Sequence, residues 1–291
     1  MKKLKYLILI VYLSVLLSDD KLDFKDFKLP VEINMENIIP KNLNDKLARP
    51  ITSHEIEKIQ KNAADYIPES VSDNDIIIFE TTIGTFKGKF FNDKAPNHCY
   101  NFKKLANSGF YDGTRFHRVM PNFMIQGGDI LSRDGRKDND GTGGPGWTID
   151  AEFNDIKHIR GTLSMARSPK GPNTAGSQFF ICVTPQPHLN GSYTAFGEIT
   201  EKVRIIDHIV NTPTDSQQAI DLASNSIPIG ENKDNWIGIQ NPKNGKLIFF
   251  EVPKNTEKNL YKREMMTKLR STNPFVPIII KSIRVVNQVK N

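Results

Sequence analysis

Residues 116–129, FHRVMPNFMIQGGD, hold the contradiction from which the chain is best read. The stretch has the texture of buried β-structure, yet it carries the guanidinium of Arg118 and the amide of Gln126. A polar group taken from water without a partner costs about 1–3 kcal/mol, so something must compensate both. A period of two puts Met124 and Gln126 on one face of NFMIQGG, and in SQFFI it puts Gln178 beside Phe180. Interior packing would account for Met124 and Phe180 but not for the glutamines. A small apolar pocket edged by amides and one cation is what a peptide with one hydrophobic residue needs.

Outward from this stretch the pattern is mainly β. IIIFETTIGTFKGKFF reads as a hairpin with Gly84 in its turn. Further short strands are predicted at GTRFHRV, NFMIQGG, GTLSMAR, SQFFICV and TAFGEI, separated by turns rich in Gly, Pro and Asn. Many short strands with few helices point to an antiparallel barrel or sandwich. APNHCYNFKKLANSG reads as a helix with Pro96 in its first turn, and EKVRIIDHIVN as a second. A third is predicted from Thr52, which with Glu55 completes a capping box. Ala219 to Thr272 reads as polar and irregular, and VPIIIKSIRVV returns to strand texture. The expected organisation is residues 1–18 as a signal peptide or anchor and 19–74 as an N-terminal extension with one short helix. A barrel follows over 75–216 plus 274–288, with an insertion at 217–273.

The ends of the chain carry the charge and the address. The net charge of +6 resides in Glu251–Asn291, which has nine Lys/Arg against three Glu. Leu260, Met265, Met266 and Leu269 recur there at roughly helical spacing, so a solvated helix face is expected, with no nucleic-acid partner. MKKLK followed by the apolar run Tyr6–Leu17 has the form of an export signal and is short of the ~20 residues of a membrane span. Export to the periplasm or outside the cell is the expectation, with membrane attachment only if residues 6–17 stay uncleaved. Cys99 and Cys182 sit in apolar stretches, as small buried thiols do.

FHRVMPNFMIQGGD, GTGGPGWTIDAEF, GTLSMAR, GPNTAGSQFFICV and PHLNGSYTAFGEI, in that order, resemble the cyclophilin family of peptidyl-prolyl cis-trans isomerases. The resemblance covers about residues 75–211 and the strand near 278–287. It implies an eight-stranded antiparallel closed barrel capped by two helices, acting without a cofactor on proline-containing polypeptides. Arg118 and Gln126 correspond to the family's catalytic residues. Phe123, Met124, Phe180 and Leu189 would line the proline pocket, while Gln126 and the backbone near Ala166 and Arg167 would hold the flanking peptide groups. Gln178, His188 and Tyr193 complete the expected set. His188 stands where many members have Trp, and its lost indole predicts weak or no cyclosporin binding. His117 is expected to be a hydrogen-bonded framework residue. The alternative reading is a non-catalytic module that binds proline peptides in the same pocket.

Overall fold

Alternating burial sets up the sheet. In β1 (Asp75–Thr81) Ile77 and Phe79 are fully buried while Glu80 is exposed, and in β2 (Gly84–Phe90) Phe86 packs parallel to Phe79 at 4.6 Å between ring centroids. The Cβ of any other residue at Gly88 would sit 2.6 Å from the Glu198 carbonyl oxygen. Glycine there is what lets β7 (Ala195–Glu201) pair closely with β2. The remaining strands are β3 (Arg118–Met120), β4 (Met124–Gly127), β5 (Thr162–Met165), β6 (Phe179–Cys182) and β10 (Ile280–Asn287). This computed structural model describes residues 49–288, so the expected signal segment 1–18 and residues 19–48 of the extension lie outside the described residues.

The eight strands form one antiparallel sheet in the order β10-β1-β2-β7-β5-β6-β4-β3. The expected closed barrel is only partly realised. Between β3 and β10 there is no continuous ladder, because the chain before β3 turns off at Thr114–His117. A single bridge joins Arg115 to Ile279, supported by backbone hydrogen bonds from Gly113 to Ile280, Phe116 to Ile278 and Ile280 to Thr114. The curved sheet is filled by Phe79, Phe86, Phe116, Phe179, Phe196 and neighbouring aliphatics.

Helix α1 (Ser53–Asp65) starts at the Thr52 cap, with the reciprocal Glu55 bonds of a capping box, and buries Ile56 and Ala63. Helix α2 (Pro96–Asn107) has no capping side chain of its own at Ala95. Glu152 supplies one from 54 residues away: its carboxylate accepts from the backbone N–H groups of Asn97 (3.0 Å) and His98 (2.8 Å). An anion at a helix N-terminus is favoured by the unsatisfied N–H groups and the helix dipole. Helix α3 (Arg204–Val210) buries Ile206, Ile209 and Val210.

The stretch expected to be irregular is folded. Helix α4 (Asp215–Leu222), the hairpin β8 (Trp236–Gln240) and β9 (Leu247–Glu251), and helix α5 (Lys258–Arg270) share a small core of Ala219, Ile237, Ile239, Ile248, Phe250, Met265 and Leu269. Helix α5 is the helix face expected from Leu260, Met265, Met266 and Leu269, while α4 and the two hairpin strands are too short to show a strong period, and the core forms only when all four meet. Thr214 bridges Pro274, so this unit leaves the barrel and returns to it through one neck. Its basic residues lie on the solvent side of α5, as the charge pattern suggested. Among the described residues no helix is long and apolar enough to cross a membrane. Both cysteines are free and buried, and burial pushes the Cys182 thiol up to about 12.

Candidate active site

Register creates the site. Arg118 on β3 faces Gln126 on β4, Gln126 faces Phe180 on β6, and Phe180 faces Ser164 on β5. The next row, Val119–Ile125–Ile181–Leu163, points the other way and belongs to the barrel core. The first row therefore lies on the outer face of the sheet. Met124 and Phe180 are buried there in a second apolar cluster with Cys182 and Leu189, flanked by Met120, Phe123, Ala166 and Tyr193. They are not barrel interior.

This cluster floors a cleft of about 140 Å³. Pockets for drug-sized ligands run to roughly 300–1,000 Å³, so this one suits a single side chain. Phe123, Met124, Phe180 and Leu189 give it apolar walls, and Arg118, Gln126, Ala166, Arg167 and Tyr193 form its rim. Tyr193 meets Phe180 edge-on at 5.7 Å, and the Arg167 guanidinium lies 4.6 Å above the Tyr193 ring. Nine of the eleven residues expected from sequence thus line one cleft.

The other two do not. Gln178 stands behind Gln126 and lines a larger adjoining cleft of about 950 Å³. His188 is exposed: the short 3₁₀ turn Pro187–Leu189 points Leu189 inward and leaves His188 outside, tilted against Phe123 at 5.9 Å. His117 is buried outside the cleft, beside the Arg115 backbone and the Asp129 carboxylate, in the position of a framework histidine. Burial pushes its pKa down.

The amides answer the problem posed by residues 116–129. Arg118 Nη1 donates to Gln126 Oε1 (3.1 Å), Gln126 Nε2 to Gln178 Oε1 (2.9 Å), and Gln178 Nε2 to the Gly143 carbonyl (2.8 Å). A guanidinium can only donate and a carbonyl can only accept. Both ends of this relay therefore demand the same orientation of both amides. Among the described residues no carboxylate pairs with Arg118, so its positive charge is not neutralised locally, and burial alone pulls its pKa below the usual arginine value. The guanidinium is held at the lip of an apolar cleft with most of its donors uncommitted.

Sequence reasoning missed His158. Its ring stacks on Phe180 at 6.0 Å and its Nε2 lies 2.9 Å from Ser164 Oγ, so it backs the cleft from beneath. A histidine in a loop between strands gives no periodic signal that would place it there.

The family model described as "Cyclophilin type peptidyl-prolyl cis-trans isomerase/CLD" matches residues 76–228, which is 153 of the 291 residues. A peptidyl-prolyl cis-trans isomerase of Synechococcus elongatus is 50% identical over 136 residues, 46% of this chain and 88% of that protein. Peptidyl-prolyl cis-trans isomerase B of Bacillus subtilis is 46% identical over 125 residues, 42% of this chain and 81% of its own. The crystal structure of a Cryptosporidium parvum cyclophilin-type isomerase superposes with a TM-score of 0.50 at 28% identity, covering 74% of this chain and 98% of that one. A second structure of that protein, in the presence of the dipeptide Ala-Pro, matches with the same score and identity. With more than half its length matched and a single-residue apolar cleft beneath a fixed cation, the chain belongs to the cyclophilin-type peptidyl-prolyl cis-trans isomerase family.

Proposed function

We propose that the cleft beneath Arg118 rotates X-Pro bonds of exported polypeptides and so assists their folding. The observation that carries the site assignment is the Arg118 guanidinium, oriented by Gln126 and free of any carboxylate among the described residues, at the rim of a cleft one side chain wide. The related crystal structure was obtained in the presence of Ala-Pro, a ligand chemistry that such a cleft would take.

The peptide bond is planar because the nitrogen lone pair is delocalised, with a rotation barrier of about 18–20 kcal/mol. In the twisted state that lone pair is localised on the prolyl nitrogen and accepts a hydrogen bond better. A donor aimed at it stabilises the twisted state more than the planar one, and only such differential binding accelerates the step. Arg118 fills this role without proton transfer. Phe123, Met124, Phe180 and Leu189 take the proline ring, and Gln126 with the Ala166–Arg167 backbone holds the peptide on the other side of the bond. Tyr193 shapes the rim, and His188 stands outside it against the Phe123 wall.

A protease-coupled assay on an X-Pro peptide tests this. The protein should accelerate isomerisation well above the uncatalysed rate, and cyclosporin should inhibit it only weakly, since the exposed imidazole of His188 offers less apolar face than an indole. Peptide binding without acceleration would favour the non-catalytic module, and nanomolar inhibition would contradict the reading of His188. Export rests on the basic start and the apolar run Tyr6–Leu17. Mass spectrometry of the mature N-terminus checks it, and an intact Met1 on protein confined to the cytoplasm would rule it out.

A further inference from the structure

The family match starts at residue 76, but the wall of the larger cleft includes a residue from before it. Gln60 on α1 donates from Nε2 to the Gly144 carbonyl at 2.7 Å. Helix α1 is tied down for this contact. Ile56 and Ala63 pack into the barrel core, the Ile51 N–H reaches the Arg133 carbonyl at 3.1 Å, and Lys104 Nζ reaches the Ala64 carbonyl at 2.8 Å.

The loop that Gln60 holds is anchored at its start, by the Gly141 N–H on the Asp129 carboxylate and by Thr142 on the Asn139 carbonyl, and Gln60 grips it two residues further on. Four of the six residues 141–146 are glycine, and glycine loses the most conformational freedom on ordering. Gly143 is wedged in place: a Cβ there would fall 2.1 Å from Asp129 Oδ1. A Cβ on Gly144 would meet nothing within 4 Å, so packing does not hold this residue. Its carbonyl bond to Gln60 does, one residue from the carbonyl that receives Gln178 Nε2. Two amides from different elements thus grip two consecutive carbonyls.

We infer that α1 is a working part of the active site and that Gln60 is a positioning residue, fixing the loop carbonyl that sets the polarity of the Gln178–Gln126–Arg118 relay. Were the Gly143 carbonyl to swing away, Gln178 could turn over, and Gln126 would then present an NH₂ group to a guanidinium that can only donate. Four hydrogen bonds and one peptide unit link α1 to Arg118 in this way. The inference rests on the role of Arg118 proposed above.

The test is a double-mutant cycle in the full chain, read as kcat and KM on an X-Pro peptide. Gln60→Ala keeps a good helix former at a half-buried position, and Gln60→Glu keeps the shape without the donor. Each should lower kcat/KM about threefold or more, chiefly through kcat, and neither should have a further effect in an Arg118→Ala background. Unchanged rates in both Gln60 variants, with Arg118→Ala impaired, would overturn the inference and leave the mechanism standing. An Arg118→Ala protein as active as wild type would overturn both. A Gln60 effect that persists without Arg118 would overturn the relay.

Discussion

Replacing Arg118 with alanine should lower kcat/KM for an X-Pro peptide by about tenfold or more, equivalent to about 1.4 kcal/mol of transition-state binding. The size follows from what is removed. A hydrogen bond involving a charged group is worth about 1.5–3 kcal/mol, and this one is made fully only when the prolyl nitrogen has pyramidalised. The fold should survive, because Arg118 is half-buried and its one hydrogen-bonded neighbour, Gln126, is itself partly open to water. Arg118→Lys should recover little: lysine offers a point charge on a flexible stem where the site uses a planar fork of donors. Steady-state kinetics on folded variants checks this, and wild-type efficiency in Arg118→Ala would contradict it.

The largest effect on stability is expected far from the cleft, at Lys103. Its ammonium on α2 lies 2.7 Å from Asp75 Oδ2 at the start of β1, and both side chains are nearly inaccessible, at 6% and 0%. Lys103 also donates to the Ser70 carbonyl at 3.0 Å, while Asp75 accepts from Ser72 and from Asn287 at the end of β10. One ion pair therefore ties helix, first strand and last strand together. A buried pair adds little net stability as a whole, because desolvation offsets the attraction, but removing one partner strands the other charge and costs about 3–5 kcal/mol. Lys103→Met keeps the apolar stem and removes the charge, and should destabilise by about 3 kcal/mol in denaturant unfolding. Adding Asp75→Asn should recover part of the loss. A single-variant cost under about 1 kcal/mol would show that water reaches the pair.

Much of the architecture could be read locally. The Thr52–Glu55 capping box, the alternation through β1 and β2, and Pro96 at the start of α2 are properties of neighbouring residues, and sequence displays those. The cleft was legible only in its membership. That Arg118, Gln126 and Phe180 form a row depends on the register of three strands, which long-range pairing decides. His188 was misplaced because one short 3₁₀ turn chooses between it and Leu189. The helical spacing of Leu260, Met265, Met266 and Leu269 announced α5, whereas the folding of α4, β8 and β9 was missed, since none of these short elements carries enough apolar periodicity alone. Gln60 lies on a helix whose relation to the glycine loop, 84 residues away, exists only in three dimensions.

Exchange spectroscopy reads directly which state of the peptide Arg118 binds. The rate of cis–trans exchange on the enzyme and the dissociation constant of the same peptide would be measured by NMR for wild type and for Arg118→Ala. In Arg118→Ala, exchange should slow about tenfold or more while affinity changes by less than about threefold, because the guanidinium acts on the twisted bond. A loss of affinity that matches the loss of rate would contradict it, and would make Arg118 a ground-state binding residue.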